Sequence, residues 1–313
     1  MKIARKLSHA MTLFCALGSV LSFQVRPRTW QQRSSAVAMA ATLDELANTR
    51  IPTTDGEREL CAFVAWPDAT PEGAPLPVLL MIHEFFGLTE SITAKARLFA
   101  NELDCLVIAP DTYRGTSTSF IPQAIYFALT TPQERVNQDL DDALRWAVRA
   151  GANTKRVAVL GFCYGGGKAI RYTTQVRPTA ATMIFYGKPI TDAAELANLR
   201  APVCAVYGVD DNQFPQSTVT QFREALEAAE IEHEVVSYYG AGHAFWTDVA
   251  QVENEEMPVI AAYRLATAFL SGFYAGKESF AKKREFLEFQ LREQERERRE
   301  GGGEAVGEEE EDP

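Results

Sequence analysis

The sequence predicts an α/β fold, with a mostly parallel central sheet and helices on both of its faces. Three observations carry this prediction. Short, nearly continuous apolar runs recur through the middle of the chain, stretches with helical periodicity separate them, and reactive residue types fall just beyond the ends of the runs. Strands covered on both faces read as continuous apolar runs, and strands that alternate with helices join into a parallel sheet through crossovers.

Taken in order, residues 51–53 and 59–66 flank the turn Thr54-Asp55-Gly56 and read as an antiparallel hairpin. The run PVLLMIH over 77–83 is the first covered strand. A helix is expected over 89–103, with Leu98, Phe99 and Leu103 turned to the core, followed by the strand CLVIA over 105–109. Val136, Leu140, Leu144 and Val148 recur four apart, which marks a helix over 133–150 that Gly151 ends. Further strands are expected over 156–162, 182–186, 203–207 and 234–238, with helices over 168–175 and 216–229.

Composition bounds the function. The chain has 313 residues and a net charge of −11, and so acidic a surface repels phosphate backbones and anionic membranes. Nucleic acid is not an expected partner. The five cysteines (15, 61, 105, 163 and 204) form no metal-ligand spacing, and four histidines leave little for a zinc cluster. Neither a metal nor a cofactor is expected. Cys61, Cys105 and Cys204 sit in apolar strand contexts and read as small core residues.

The ends differ from this middle. Residues 1–43 carry six basic side chains and no acid, with a short apolar centre over 10–21. A charged start and such a centre read as a secretory signal, and the Arg- and Ser-bearing stretch that follows has transit-peptide composition. Together they resemble the bipartite leader of plastid-imported proteins, with plain secretion or a mitochondrial presequence as alternatives. No membrane span is expected in the mature protein. Residues 277–300 alternate charges around Phe280, Phe286, Leu287 and Leu291 and predict a charged helix; residues 301–313 predict a disordered acidic tail. The catalytic domain is therefore expected over 44–276.

In an open parallel sheet, ligands bind beyond the carboxyl ends of the strands. The strand over 156–162 runs into Gly161-Phe162-Cys163-Tyr164-Gly165, a nucleophile elbow with cysteine in place of serine. Beyond 203–207 come two carboxylates, Asp210 and Asp211, and beyond 234–238 comes His243 in a glycine-rich loop. Nucleophile, acid and histidine follow in the order this elbow requires. On chemistry alone, either carboxylate could hold Nδ1 of His243.

Cys163 in GFCYGGG, Glu84 in HEFFG, the run Asp111-Thr112-Tyr113-Arg114, Tyr186-Gly187, Asp211 with Pro215, and Gly242-His243-Ala244-Phe245 together resemble the dienelactone hydrolase (carboxymethylenebutenolidase) family. The similarity spans about 51–274 and implies the α/β-hydrolase fold. It also implies that Asp211 rather than Asp210 is the acid, that Glu84 assists thiol deprotonation, and that Arg114 lies close to where the family holds a substrate carboxylate. A second family arginine, four residues after the histidine, is replaced by Thr247.

The expected reaction is hydrolysis of a lactone or activated ester by the Cys163 thiolate. The backbone N–H groups of Phe85 and Tyr164 are expected to hold the oxyanion. Tyr113, Phe86 and Trp246 are candidates for an aromatic substrate pocket. The expected partner is a small-molecule lactone or ester substrate. A hydrolase-fold binding protein without catalysis and a thioesterase or general esterase remain as alternatives.

Overall fold

The computed structural model describes residues 41–276, apart from position 57 and the segments 70–74 and 116–119. Eight strands form one sheet in the order β1-β2-β4-β3-β5-β6-β7-β8. They are β1 (Thr49–Ile51), β2 (Leu60–Ala65), β3 (Pro77–Ile82), β4 (Leu106–Pro110), β5 (Asn153–Phe162), β6 (Ala181–Phe185), β7 (Val203–Gly208) and β8 (His233–Tyr238). Strand β2 runs antiparallel to both β1 and β4, and every other pair is parallel. This is the α/β-hydrolase architecture that the sequence predicts.

Six longer helices cover the sheet: α1 (Glu90–Leu103), α2 (Ile121–Thr130), α3 (Gln133–Arg149), α4 (Tyr164–Gln175), α5 (Gln216–Ala228) and α6 (Val259–Ala275). The alternation of side chains along β3 shows why its apolar run is continuous. Leu79 and Met81 join the core beneath α1 and α6, while Val78, Leu80 and Ile82 join the opposite core beneath α3 and α4.

Some elements differ from expectation for identifiable reasons. Val148 is exposed, and Ala147 takes the buried position instead. Steps of four residues advance about 40° beyond a full turn each time, so a stripe written every fourth residue rotates off the core within three steps. Helix α4 begins at Tyr164 rather than 168, because its three glycines disfavour helix by propensity but permit the close contacts described below. Helix α6 was not expected, since buried residues surround it and leave no polar stripe to read. In α2, Ile121, Tyr126 and Leu129 are exposed, so the apolar pattern has no single face.

Cys61, Cys105 and Cys204 are buried free thiols. The leader expected over 1–43 lies outside the described residues up to position 40, as do the charged helix and the acidic tail. Among the described residues, no helix is long and apolar enough to cross a membrane, and no group of His, Cys, Asp and Glu could hold a metal ion.

Candidate active site

Cys163 sits between β5 and α4 with φ 50° and ψ −110°, a conformation that costs a non-glycine residue roughly 1–3 kcal/mol. The surrounding backbone over-determines it. The Cys163 N–H donates to the Phe185 carbonyl at 2.9 Å, and the Cys163 carbonyl accepts from Gly166 and Gly167 at 3.1 and 3.3 Å. The glycine spacing has a steric cause. A Cβ on Gly161 would lie 2.1 Å from the Gly165 carbonyl oxygen, and one on Gly165 would lie 2.2 Å from that of Ile82. The elbow therefore packs directly on the end of β3.

The loops after β7 and β8 bring the other two residues in. They are tied together by Val209 N–H to the Tyr238 carbonyl and Asp210 N–H to the Ala241 carbonyl, both at 2.9 Å. His243 Nδ1 lies 2.8 Å from Asp211 Oδ2, and His243 Nε2 lies 3.1 Å from Cys163 Sγ. Asp211 is buried, and its other oxygen accepts from the Gln213 and Phe214 N–H groups at 2.7 and 3.0 Å. Asp210 is exposed and has no part in this relay. The carboxylate keeps the proton on Nδ1 and turns the basic Nε2 toward the thiol.

Burial works against a charged His243, but the hydrogen bonds to Asp211 and Cys163 prevail and raise its pKa to about 9. The rings of Tyr186 and Phe214 lie edge-on to His243, each with its centroid 5.6 Å away.

The loop after β3 carries Glu84, Phe85 and Phe86, all half-buried. Its carbonyls are fixed on both sides. His83, fully buried, places Nδ1 2.7 Å from the Glu84 carbonyl, while its Nε2 accepts from the Thr112 N–H at 3.2 Å. The Tyr113 hydroxyl donates to the Phe85 carbonyl at 3.1 Å. The Glu84 carbonyl and the Phe85 N–H belong to one planar peptide unit, so the His83 bond sets the direction of that N–H. The other candidate donor, the Tyr164 N–H, is at the first residue of α4, where helix N–H groups lack intrahelical acceptors.

The carboxylate of Glu84 accepts from the Tyr186 hydroxyl at 3.1 Å. The thiol is engaged by His243, so Glu84 and Cys163 are not paired in this arrangement.

Two residues expected to contact substrate have partners within the protein. The Arg114 guanidinium bonds Asp139 Oδ1 through Nε and Nη2 at 3.0 and 2.6 Å, and Asp55 through Nη1 at 2.6 Å. Because Asp139 is fully buried, its charge holds this arginine. Trp246 is likewise fully buried, packed on Phe99, Phe162, Phe185 and Tyr263, with its indole N–H donating to the Asp248 carbonyl. It is a core residue beneath the site rather than a pocket wall. Tyr113 is also buried, and it acts on the Phe85 loop. Phe86 packs on Phe85 with tilted rings, centroids 4.1 Å apart, and stays half-buried.

His83 as a support for the loop, and Tyr186 as the donor to Glu84, were not anticipated from sequence. Each immediately follows a strand, as Cys163 also does, and that position was the available signal.

A family model described as "Dienelactone hydrolase family" matches residues 64–274. A Salmonella typhimurium protein provisionally named a carboxymethylenebutenolidase is 34% identical over 235 residues, covering 67% of this chain and 86% of its own. A similarly named protein of Methylorubrum extorquens is 30% identical over 257 residues, covering 77% of this chain and 85% of its own. The crystal structure of a Klebsiella pneumoniae protein, provisionally described as a dienelactone hydrolase, superposes with a TM-score of 0.62 at 30% identity, covering 71% of this chain and 96% of that one.

Proposed function

The chain belongs to the dienelactone hydrolase family, and from that premise and its hydrogen-bonded Cys163-His243-Asp211 relay we propose the course of its reaction and the class of its substrate. The protein is a carboxylic ester or lactone hydrolase with a cysteine nucleophile. The relay is the single observation that carries the mechanism.

The Cys163 proton rests on His243 Nε2, and Sγ attacks the substrate carbonyl as the thiolate, forming a C–S bond and a tetrahedral oxyanion. The N–H groups of Phe85 and Tyr164 hold that oxyanion, each donor being worth roughly 3 kcal/mol of barrier. Collapse breaks the C–O bond to the leaving alcohol or enol, which takes the proton back from His243. Water then attacks the thioester while His243 accepts its proton, and the C–S bond breaks to release the acid and restore the thiolate. Asp211 stabilises the imidazolium at each stage without being protonated. Glu84 serves as an auxiliary acid or base at the edge of this path.

A thiolate leaves more readily than an ordinary alkoxide, so forward collapse favours enol lactones and activated esters over alkyl esters and amides. The substrate we propose is a small, uncharged lactone or activated ester. The engagement of Arg114 with Asp139 and Asp55 supports this, as does Thr247 in place of the second family arginine. Steady-state kinetics on matched lactones with and without a carboxylate substituent test it. Higher kcat/KM for the neutral member is expected; a strong preference for the carboxylated one would reject this substrate class.

For residues 1–43 we propose plastid import, supported by their acid-free, Arg- and Ser-bearing composition after a short apolar stretch. A fluorescent fusion of these residues tests it, and retention in the secretory pathway or mitochondria would count against it.

A further inference from the structure

Lys95 is fully buried on the inner face of α1, one turn before Phe99. Its ammonium donates to the Trp246 carbonyl at 2.9 Å and lies 4.7 and 5.1 Å from the ring centres of Phe162 and Trp246. Phe162 immediately precedes the nucleophile, and Trp246 lies three residues beyond the catalytic histidine, so this cation sits beneath the reacting groups. Burying an ammonium costs several kcal/mol, and an apolar side chain would fill the same space without that cost.

The Trp246 carbonyl is also within reach of a second donor. The Tyr186 hydroxyl, which has one proton to give, lies 3.3 Å from that carbonyl and 3.1 Å from Glu84 Oε1. We propose that Lys95 is a positioning residue for Glu84: by drawing on the Trp246 carbonyl, the cation makes it a poorer acceptor, biases the Tyr186 proton toward the Glu84 carboxylate and so holds that carboxylate in place for acid–base work. This rests on the auxiliary role given to Glu84 above. A hydrogen bond to an ionised acceptor is roughly twice as strong as one to a neutral carbonyl, so the tyrosine gains by the exchange.

The charged surroundings fit. Glu84 and Asp248 are the negative groups acting on Lys95, and both oppose the lowering of its basicity by burial. Tyr186 faces Glu84 and Cys163, and its ring meets that of His243.

The test is a double-mutant cycle on the full chain, in which kcat/KM for p-nitrophenyl acetate is measured against pH for native enzyme, Lys95→Met, Glu84→Gln and the double variant. Freed of its cation, the Trp246 carbonyl competes for the tyrosine proton and the Glu84 carboxylate loses its donor. Lys95→Met should then displace the acid limb to higher pH and lower kcat/KM there by about tenfold. In the Glu84→Gln background it should add nothing. Lys95→Gln, which keeps an N–H for the carbonyl without the charge, should restore part of the native profile, and it carries the same comparison if the methionine variant does not fold. An unmoved acid limb, or equal losses in both backgrounds, would overturn the role of Lys95 while leaving Glu84's intact. A Glu84→Gln enzyme that behaves as native, while Cys163→Ala is dead, would overturn the reading of Glu84 and this role with it.

Discussion

His243 presents Nε2 to Cys163 Sγ at 3.1 Å while Asp211 holds its Nδ1 at 2.8 Å. The thiol, the imidazole and the carboxylate thus form one continuous hydrogen-bonded path, and each member's contribution can be tested separately.

Replacing Asp211 by Asn leaves the shape but removes the charge that stabilises the imidazolium and fixes its tautomer. A loss of about 10⁴-fold in kcat is expected, the size found when the acid of a serine triad becomes its amide. Stopped-flow and steady-state kinetics would show it, and a loss under tenfold would mean that Asp211 is not the orienting acid.

The basicity of His243 also links stability to pH. Its pKa is raised from 6.5 to about 9 in the folded protein, so folding favours the protonated ring. This contribution is fully present below 6.5 and is lost as pH rises through about 9. The urea midpoint of native protein relative to His243→Gln should therefore fall across that window. A relative midpoint that rises with pH would show the opposite linkage.

His83 should affect turnover more than binding. Asparagine places an N–H near the position of Nδ1 and should preserve the bond to the Glu84 carbonyl, whereas His83→Ala removes the shorter of the two bonds that orient the peptide presenting the Phe85 N–H, leaving that from the Gly87 N–H at 3.2 Å. A fall in kcat of up to about 10²-fold with little change in KM is expected for alanine, with asparagine closer to native. A change confined to KM would remove Phe85 from the oxyanion site.

Arg114 should prove structural. Arg114→Met leaves the buried Asp139 without its partner, at a cost of roughly 3 kcal/mol in unfolding free energy. Burial already raises the pKa of this carboxyl to about 6 despite the arginine. KM for a neutral ester should change little at temperatures where the variant is folded. A large rise in KM with unchanged urea stability would instead place Arg114 at the substrate.

Gly165→Ala should be severe, because the added Cβ meets the Ile82 backbone oxygen at 2.2 Å and neither strand nor helix can yield cheaply. Destabilisation beyond about 4 kcal/mol is expected. Near-native denaturation together with near-native activity would mean that the elbow is less tightly seated on β3 than the geometry requires.

The elbow was legible in sequence because its steric demand is local: two glycines flanking Cys163 report a turn that admits no Cβ. The parallel strands were legible because both faces of β3 are covered, which leaves a run of apolar residues. The acid was not legible from chemistry alone, since Asp210 and Asp211 are adjacent and alike; burial and two backbone donors distinguish Asp211 only in three dimensions. The tertiary partners of Trp246 and Arg114 were not legible for a related reason. An aromatic or a cation next to catalytic motifs looks available to substrate, and only tertiary contacts show that Phe99 and Phe185 claim one while Asp139 claims the other. Lys95 was concealed by its charge, although it lies four residues before Phe99 and therefore on the same helical face.

The central claim is that Cys163 carries the acyl group. Acid-quenching the enzyme during turnover of p-nitrophenyl acetate, followed by peptide mass spectrometry, tests this most directly. One acetyl group is expected on the Cys163 peptide, accumulating further in His243→Ala pre-acylated enzyme and absent from Cys163→Ala. Full turnover by Cys163→Ala, or acetyl found on another residue at the turnover rate, would contradict it.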